Sequence, residues 1–421
     1  MKKHFLLFLL SMASTGAYSQ ALSLAECQRL AMEQSPLQQQ KTLITSVTHL
    51  QNENLAAAFL PKLSLAGQAT WQSDVITFPE IGSVSLFPEI PHFQFNTALN
   101  ANQIIFDGGA VKLGKEFNAV SQQVQTQEVE VEINRLKEVI NDLYFSILLL
   151  DKNENILKQT LEQLAVRRAS LESAVRNGVM LKSNLDVFTK QMLLIEQKMD
   201  QIRAERQGLI HILEDWTGRD DLSLTTLVIP DYDQAIPATP SGRPEYSLFD
   251  LQQKQLLQNS EILKARTLPL VSAFLTAGIG QPNPFNFLKT DPSPFMQAGV
   301  KFVWTPWDWN QTRRDKEIIS VRSQMVNTRR LQFDQNVEAG IRRDEEMIQS
   351  LYRQIEKDRE IISLQKSIVD QVNAQFENGV VTSADYLAEV TALTEAQINL
   401  ETHTIQQARA KVNILTKMGG L

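Results

Sequence analysis

Two stretches of this chain, Ala110 to Arg176 and Thr312 to Glu377, read as uninterrupted helices of extreme length. In the first, Val131, Leu136, Val139, Ile140, Leu143, Tyr144, Ile147 and Leu148 recur at helical spacing and define a broad apolar face. After Asp107-Gly108-Gly109 no proline occurs until Pro230. At 1.5 Å per residue each stretch would extend about 100 Å, several times the width of a small domain. Helices of that length need partner helices along their whole course, as in coiled coils or tubes.

The two stretches belong to a duplication. Asn177-Gly178-Val179 is matched by Asn378-Gly379-Val380, Asp107 by Asp308 and Gly218 by Gly419, all at an offset of 201 residues. Phe59-Leu60-Pro61-Lys62-Leu63 pairs with Thr267-Leu268-Pro269-Leu270-Val271 at an offset of 208, the difference falling where a surface loop can vary. The expected division is a first repeat over residues 20–220, a linker over 221–244 and a second repeat over 245–421. Each repeat reads helix, strand, loop, strand, very long helix, break, helix. The first helix is expected from about Ser23 to Phe59, ended by Pro61. The Asn-Gly pairs are helix stop signals. Ser183 with Asp186 beyond it, and Thr382 or Ser383 with Asp385, offer N-caps for the return helices. Pro230, Pro237, Pro240 and Pro244 mark the linker as extended and packed outside the helices.

The strands alternate. Phe93, Phe95, Thr97, Leu99 and Ala101 interleave with Gln94, Asn96, Ala98, Asn100 and Asn102. Met296, Ala298, Val300, Phe302 and Trp304 interleave with Gln297, Gly299, Lys301, Val303 and Thr305. Leu63 to Trp71 and Leu270 to Gly280 are their partners, giving hairpins over residues 63–105 and 270–306. One apolar and one amide-rich face suit a strand between lipid and a watery lumen. Trp71, Phe93, Phe106, Trp304, Trp307 and Trp309 cluster at the strand ends, as at a membrane interface. Four strands cannot close a membrane barrel, and open edges cannot be left in lipid, so several protomers must share one barrel. The fold class is thus mainly α, a helical barrel or coiled-coil tunnel with four strands per protomer entering a shared membrane β-barrel.

The N-terminus supports export. Met1-Lys2-Lys3, the apolar run Phe5 to Leu10 and the small-x-small site Ala17-Tyr18-Ser19 compose a secretory signal peptide over residues 1–19. Its apolar core is too short to span a bilayer. The formal net charge of -7 becomes two units more negative when Lys2 and Lys3 leave, a balance that does not suit nucleic acid. A single cysteine, Cys27, precludes an intrachain disulfide. Glu26 stands where a lipidation signal would need a small residue, so Cys27 reads as a buried side chain on an amphipathic helix. His4, His49, His92, His211 and His403 show no metal-ligand spacing, and no phosphate-binding loop or nucleophile elbow occurs. No cofactor, metal or catalytic residue is expected, and an enzyme is disfavoured. Met180, Met192 and Met199 raise Cu(I) export through thioether chemistry, against which stands ordinary core filling.

In order along the chain, Leu22-Ser23-Leu24-Ala25-Glu26, Leu60-Pro61-Lys62-Leu63, Ile105-Phe106-Asp107-Gly108-Gly109, Arg243-Pro244-Glu245 and the paired Asn-Gly-Val turns resemble the outer-membrane efflux protein family typified by TolC. That resemblance covers nearly the whole mature chain. It implies a homotrimer with a twelve-stranded barrel in outer-membrane lipid, a helical tunnel in the periplasm, and docking of a periplasmic adaptor protein and an inner-membrane pump or exporter near the reversals at Asn177, Gly178, Val179, Asn378, Gly379 and Val380. It further implies inward aspartates narrowing the tunnel mouth. Aligned on Asn378-Gly379, the first is Asp385; the second position falls on Ala388, with Glu389 beside it, leaving one or two acidic rings open. Ser183 and Asn184 occupy the analogous first-half turn. The alternative reading of Asp385 is a first-turn carboxylate favoured by the helix dipole, and the two are compatible. At the level of the whole chain, the alternative is a periplasmic coiled-coil scaffold without a pore. Whether drugs, metals or proteins would pass is open.

Overall fold

The computed structural model describes residues 22–77, 88–222, 226–230, 242–286 and 288–420. The expected signal peptide, the tip of the first hairpin and most of the linker lie outside these residues. The elements in order are α1 (Leu24–Gln34), α2 (Leu37–Ala56), a single 3₁₀ turn (Ala57–Phe59), β1 (Lys62–Trp71), β2 (Phe93–Phe106), α3 (Ala110–Arg176), α4 (Lys182–Thr217), α5 (Pro244–Ala265), β3 (Leu270–Gln281), β4 (Ser293–Val303), α6 (Gln311–Glu377) and α7 (Ser383–Met418). The long helices α3 and α6 are both 67 residues, and the return helices α4 and α7 both 36.

The first helix is not continuous. Pro36 has no amide hydrogen to donate and forces its predecessor out of helical geometry. Ser35 accordingly takes ψ 128°, α1 ends, and α2 begins with Pro36 at its entrance, the Ser35 hydroxyl accepting from the Leu37 N–H at 3.3 Å.

The chain forms two compact units, each drawing on both halves of the sequence. One comprises the residues up to Gln38, Glu130–Pro244 and Phe333–Leu421; the other comprises Gln39–Val129 and Glu245–Gln332.

The second unit holds an antiparallel sheet in the order β1-β2-β3-β4. Its register puts Leu65, Leu99, Ala277 and Met296 in one cross-strand row and Leu63, Ala101, Leu275 and Ala298 in the next. The row between them, on the opposite face, carries Ser64, Asn100, Thr276 and Gln297, with the Thr276 hydroxyl donating to Asn100 Oδ1 at 2.9 Å. Cross-strand partners share a face, so the alternation of each strand is added in phase across all four. The apolar face lies open: Leu65 is 75 % exposed, Met296 70 % and Phe302 61 %. Two glycines serve the polar face. A Cβ on Gly278 would meet the Thr97 carbonyl oxygen at 2.2 Å, and one on Gly299 would meet the Phe274 ring at 2.8 Å. β4 ends two residues sooner than its alternation suggested. Trp304 leaves the ladder, and its indole N–H donates to the Thr267 carbonyl at 3.2 Å.

The first unit is helical. Leu24, Cys27 and Ala31 of α1 pack with Ile140, Tyr144, Phe145, Ile147 and Leu148 of α3, Ile210 and Leu213 of α4, and Ile405 and Val412 of α7. Cys27 is fully buried there, and burial pushes its thiol up to about 12. The linker contributes to this core instead of lying outside it: Leu222 and Leu227 are buried, and Leu227 forms a parallel bridge with Leu22. The bridge works because the fully buried Tyr144 hydroxyl lies 2.8 Å from the Leu22 carbonyl and accepts from the Val228 N–H at 3.0 Å. A second buried link joins three helices. Gln28 Nε2 donates to Asn141 Oδ1 at 2.6 Å, and Asn141 Nδ2 donates to Thr416 Oγ1 at 3.1 Å.

Asn141→Ala leaves both Gln28 and Thr416 without that partner in a dry site, a cost of about 1–3 kcal/mol. A lowered thermal midpoint, measured by far-UV circular dichroism on the purified protein, is the expected result. An unchanged midpoint would mean that the link contributes nothing to stability.

Candidate gate and docking site at the helix reversals

Both reversals lie in the helical unit and close in the same way. At the first, Gly178 adopts φ +72° and donates to the Val175 carbonyl at 3.1 Å, while Val179 donates to Ala174 at 2.9 Å. At the second, Gly379 also adopts φ +72°, donating to Phe376 at 3.0 Å, with Val380 donating to Gln375 at 2.9 Å. This paired pattern satisfies the last carbonyls of α3 and α6 and requires a residue at ease in the left-handed region. Asn177 and Asn378, the residues before the glycines, are exposed, and so are Val179 and Val380. Val179, Leu181 and Val380 are each more than 70 % exposed, which places apolar side chains at both tips.

The return helices start differently. Thr382 caps α7: its hydroxyl accepts from the Asp385 N–H at 3.3 Å, and Asp385 Oδ2 accepts from the Thr382 N–H at 2.9 Å and from the Thr382 hydroxyl at 2.7 Å. These bonds, the hydroxyl first and then the backbone N–H, hold the Asp385 carboxyl below the usual aspartate range. All of them use Oδ2; Oδ1 has no hydrogen-bond partner among the described residues. In α4 the N-cap is Leu181, which has no side-chain bond, and Ser183 lies inside the first turn instead of capping it. The helix starts two residues earlier than the polar residues suggested, because the preceding Gly178 motif already delivers Leu181 in extended geometry. Ser183 is exposed and Asn184 half-buried, its N–H donating to the Leu181 carbonyl at 3.1 Å. Glu389, beside Ala388, is held by Gln365 of α6, whose Nε2 donates to Glu389 Oε2 at 2.6 Å.

Below the tips the structure assembles side chains that spacing did not reveal. Phe188 of α4, Phe376 of α6 and Tyr386 of α7 stack as a triangle with centroids 5.6–6.0 Å apart. Arg167 of α3 places its guanidinium 6.0 Å from the Tyr386 ring centre, donates to Glu377 at 2.6 Å and also binds Asn373. All four helices are therefore tied within one cluster. A polar cleft of about 820 Å³ adjoins it, lined by Gln159, Thr160, Lys366, Asp370 and Gln397 among others. The residues come from positions about 200 apart, so no local pattern announces them. Met192 and Met199 are buried in the same core and Met180 packs against it, which is core filling. Among the described residues, no group of three metal-binding side chains forms, and no helix is long and apolar enough to cross a membrane.

No family model and no curated protein matches this chain. Solved structures do. The CmeC outer membrane channel of Campylobacter jejuni superposes with a TM-score of 0.66 at 15 % identity, over 94 % of this chain and 85 % of that one. This chain has the fold of the TolC-like outer-membrane channels. The outer membrane protein VceC of Vibrio cholerae gives a TM-score of 0.66 at 14 % identity, covering 94 % of this chain and 96 % of that one. The open state of the MtrE outer membrane channel of Neisseria gonorrhoeae gives 0.63 at 13 % identity, covering 94 % and 89 %. Within this channel fold, the architecture is retained at identities so low that side-chain chemistry has to be argued from this chain's own residues.

The α7 cap makes a pH-dependent prediction. A carboxyl with a depressed folded-state pKa adds stability that is present above its unfolded value, about 3.9, and lost as pH falls through the lower folded value. Protection of the first-turn amides of α7 in hydrogen exchange, corrected for intrinsic rates, should persist above about pH 4 and be lost progressively as pH falls further, through the lower folded-state value. Thr382→Val should remove the protection at every pH. Protection indifferent to both changes would refute the cap as the anchor of this turn.

Proposed function

We propose that this chain is one protomer of an outer-membrane exit duct, passively conducting substrates delivered by a periplasmic adaptor and an inner-membrane pump or exporter. The observation that carries the reading is the four-stranded sheet with an exposed apolar face, one polar face and, among the described residues, unpaired outer edges on β1 and β4. Lipid on one side and a watery lumen on the other satisfy the two faces. Pairing β4 of one copy with β1 of the next satisfies the edges, and three copies give twelve strands, above the roughly eight that closure needs. The homotrimer, the localisation in the outer membrane with a periplasmic tunnel, and export through a cleaved leader belong to this proposal. So does the division into two repeats over 20–220 and 245–421 with a linker between them.

This reading puts the tunnel mouth at the reversals. Asp385, with Ser183 and Asn184 on the first-half turn, is the proposed gate. Its Oδ2 serves the cap and its Oδ1 is left for an ion or a neighbouring protomer, so capping and gating coexist. Three symmetry-related carboxylates at a constriction would favour cations. The exposed Val179 and Val380, on rigid turns built by Asn177-Gly178 and Asn378-Gly379, are the proposed adaptor contacts. The sequence carries no phosphate-binding loop, so the driving energy is assigned to the partners.

Single-channel conductance in a planar bilayer tests the proposal, with wild type, Asp385→Ala and Arg167→Ala recorded alike. Wild type should show a small cation-preferring conductance, Asp385→Ala should lose much of the preference, and Arg167→Ala should raise the conductance by loosening the tip cluster. A conductance untouched by Asp385→Ala keeps the duct and removes Asp385 from its gate. No conductance from well-folded oligomer favours the pore-free periplasmic scaffold.

A further inference from the structure

The unit that carries the sheet has two matching cavities just beyond the strand ends, neither of which the duct reading uses. One, of about 490 Å³, is lined by Phe59, Asp107, Lys112, Lys115 and Glu116 among others, the Glu116 carboxylate accepting from Gln258 Nε2 at 3.0 Å. The other, of about 440 Å³, is lined by Trp304, Asp308, Arg313 and Lys316 among others. The cations correspond across the two halves: Arg313 and Lys316 stand 201 residues after Lys112 and Lys115.

These cations are locally misplaced. Lys112 and Arg313 occupy the first turns of α3 and α6, where the helix dipole disfavours positive charge and no acidic residue stands; Lys115 and Lys316 follow one turn later on the same side. The flanking aspartates are already engaged. Asp107 accepts from the N–H groups of Gly109 and Val111 at 2.8 and 2.7 Å, and Asp308 accepts from the N–H of Thr312 at 2.8 Å. Lys112, Lys115 and Lys316 make no ion pair among the described residues, and Arg313 has only a well-exposed i,i+4 contact with Glu317. A sequence that breaks a local rule twice, at corresponding places, points to something outside the chain that repays it.

The surroundings indicate the chemistry. Trp307 and Trp309 are exposed and pack edge to face at 5.9 Å. Trp309 holds φ +53°, which a bulky residue adopts at a cost, and Arg314 steadies its carbonyl with a 2.9 Å hydrogen bond. β1 and β3 begin, and β2 and β4 end, on this same side of the sheet, so both cavities lie at one end of the strands that carry the open apolar face. Indoles beside an apolar band sit at the level of lipid headgroups, and lysine and arginine there meet phosphate oxygens.

We propose that the Lys112/Lys115 and Arg313/Lys316 cavities each hold the phosphate of an anionic glycerophospholipid, in the leaflet on the helix side of the strands. This rests on the proposed placement of the strands in a membrane, and it adds a lipid class and the residues that select it. Net anionic charge, rather than any headgroup shape, is the feature selected.

Quenching of tryptophan fluorescence in reconstituted full-length protein tests this, with brominated phosphatidylglycerol or brominated phosphatidylcholine as probe. Wild type should be quenched at mole fractions at least about fivefold lower by the glycerol lipid, a preference that weakens at high salt. The variant K112Q/K115Q/R313Q/K316Q should be quenched equally by both lipids while keeping its oligomer. Equal quenching of wild type, or a preference indifferent to salt, overturns the lipid site and leaves the membrane reading intact. Quenching by neither lipid overturns the membrane reading itself. If millimolar inorganic phosphate at matched ionic strength abolishes the preference, the cavities take free phosphate and the lipid assignment falls. Should the fourfold variant fail to reconstitute, the lipid ratio and salt dependence of wild type still decide the matter.

Discussion

Among the described residues β1 and β4 are each paired along one side only, and the rows of N–H and C=O groups on their outer sides need partners. In water those groups are solvated at little cost; in hydrocarbon each unmade bond costs several kcal/mol. The same sheet presents a face of leucine, methionine and phenylalanine side chains that water does not favour. The two demands conflict for one copy of the chain. Apolar surroundings suit the face and forbid the edges, and the proposed edge-to-edge closure with further copies would answer both. Closure in turn needs a fixed register, which is pinned by in-phase alternation over four strands and by glycines where Phe274 and the Thr97 carbonyl approach.

The helical unit solves a different problem. Helices of 67 residues cannot be covered by one central core, so apolar contacts are distributed in successive clusters, one around Tyr144 and another around Phe188. Apolar seams of this kind permit sliding, since one leucine layer resembles the next. Buried polar links are less forgiving. Gln28, Asn141 and Thr416 satisfy one another only in a single register, as do Tyr144 and the backbone of Leu22 and Val228, and a slip would strand them without partners.

The two reversals share a turn and differ in how the return helix begins. Both use a left-handed glycine with the same pair of backbone bonds, yet α7 opens on a reciprocal Thr382–Asp385 cap while α4 opens on Leu181 without one. The second tip is therefore anchored by charge-assisted bonds and the first is not. Arg167 and the Phe188, Phe376 and Tyr386 rings compensate just below, coupling α3 and α4 to the better-capped pair.

Local chemistry wrote much of this plainly. Apolar spacing of 3.6 without proline gave the long helices, period-two alternation gave the strands, and Asn-Gly pairs gave the reversals, because each depends on residues within one turn or one strand. The break at Pro36 was equally local, and was obscured by a helical pattern on both sides of it. Resemblance pointed to Asp385; that its Oδ2 is engaged by Thr382 depended on a one-residue choice between two adjacent caps. The Ser183 cap failed by two residues, since the glycine motif before it set where α4 begins. What could not be read was any arrangement joined across long separations: the stack of Phe188, Phe376 and Tyr386, the Arg167 tie, the burial of Leu222 and Leu227, and the cavities that gather Lys112 with Lys115 and Arg313 with Lys316. The sequence alone settled which segments are helix, strand and turn, because hydrogen bonding within an element is short-ranged; packing settled which side chains meet, because that depends on how distant segments fill the same space.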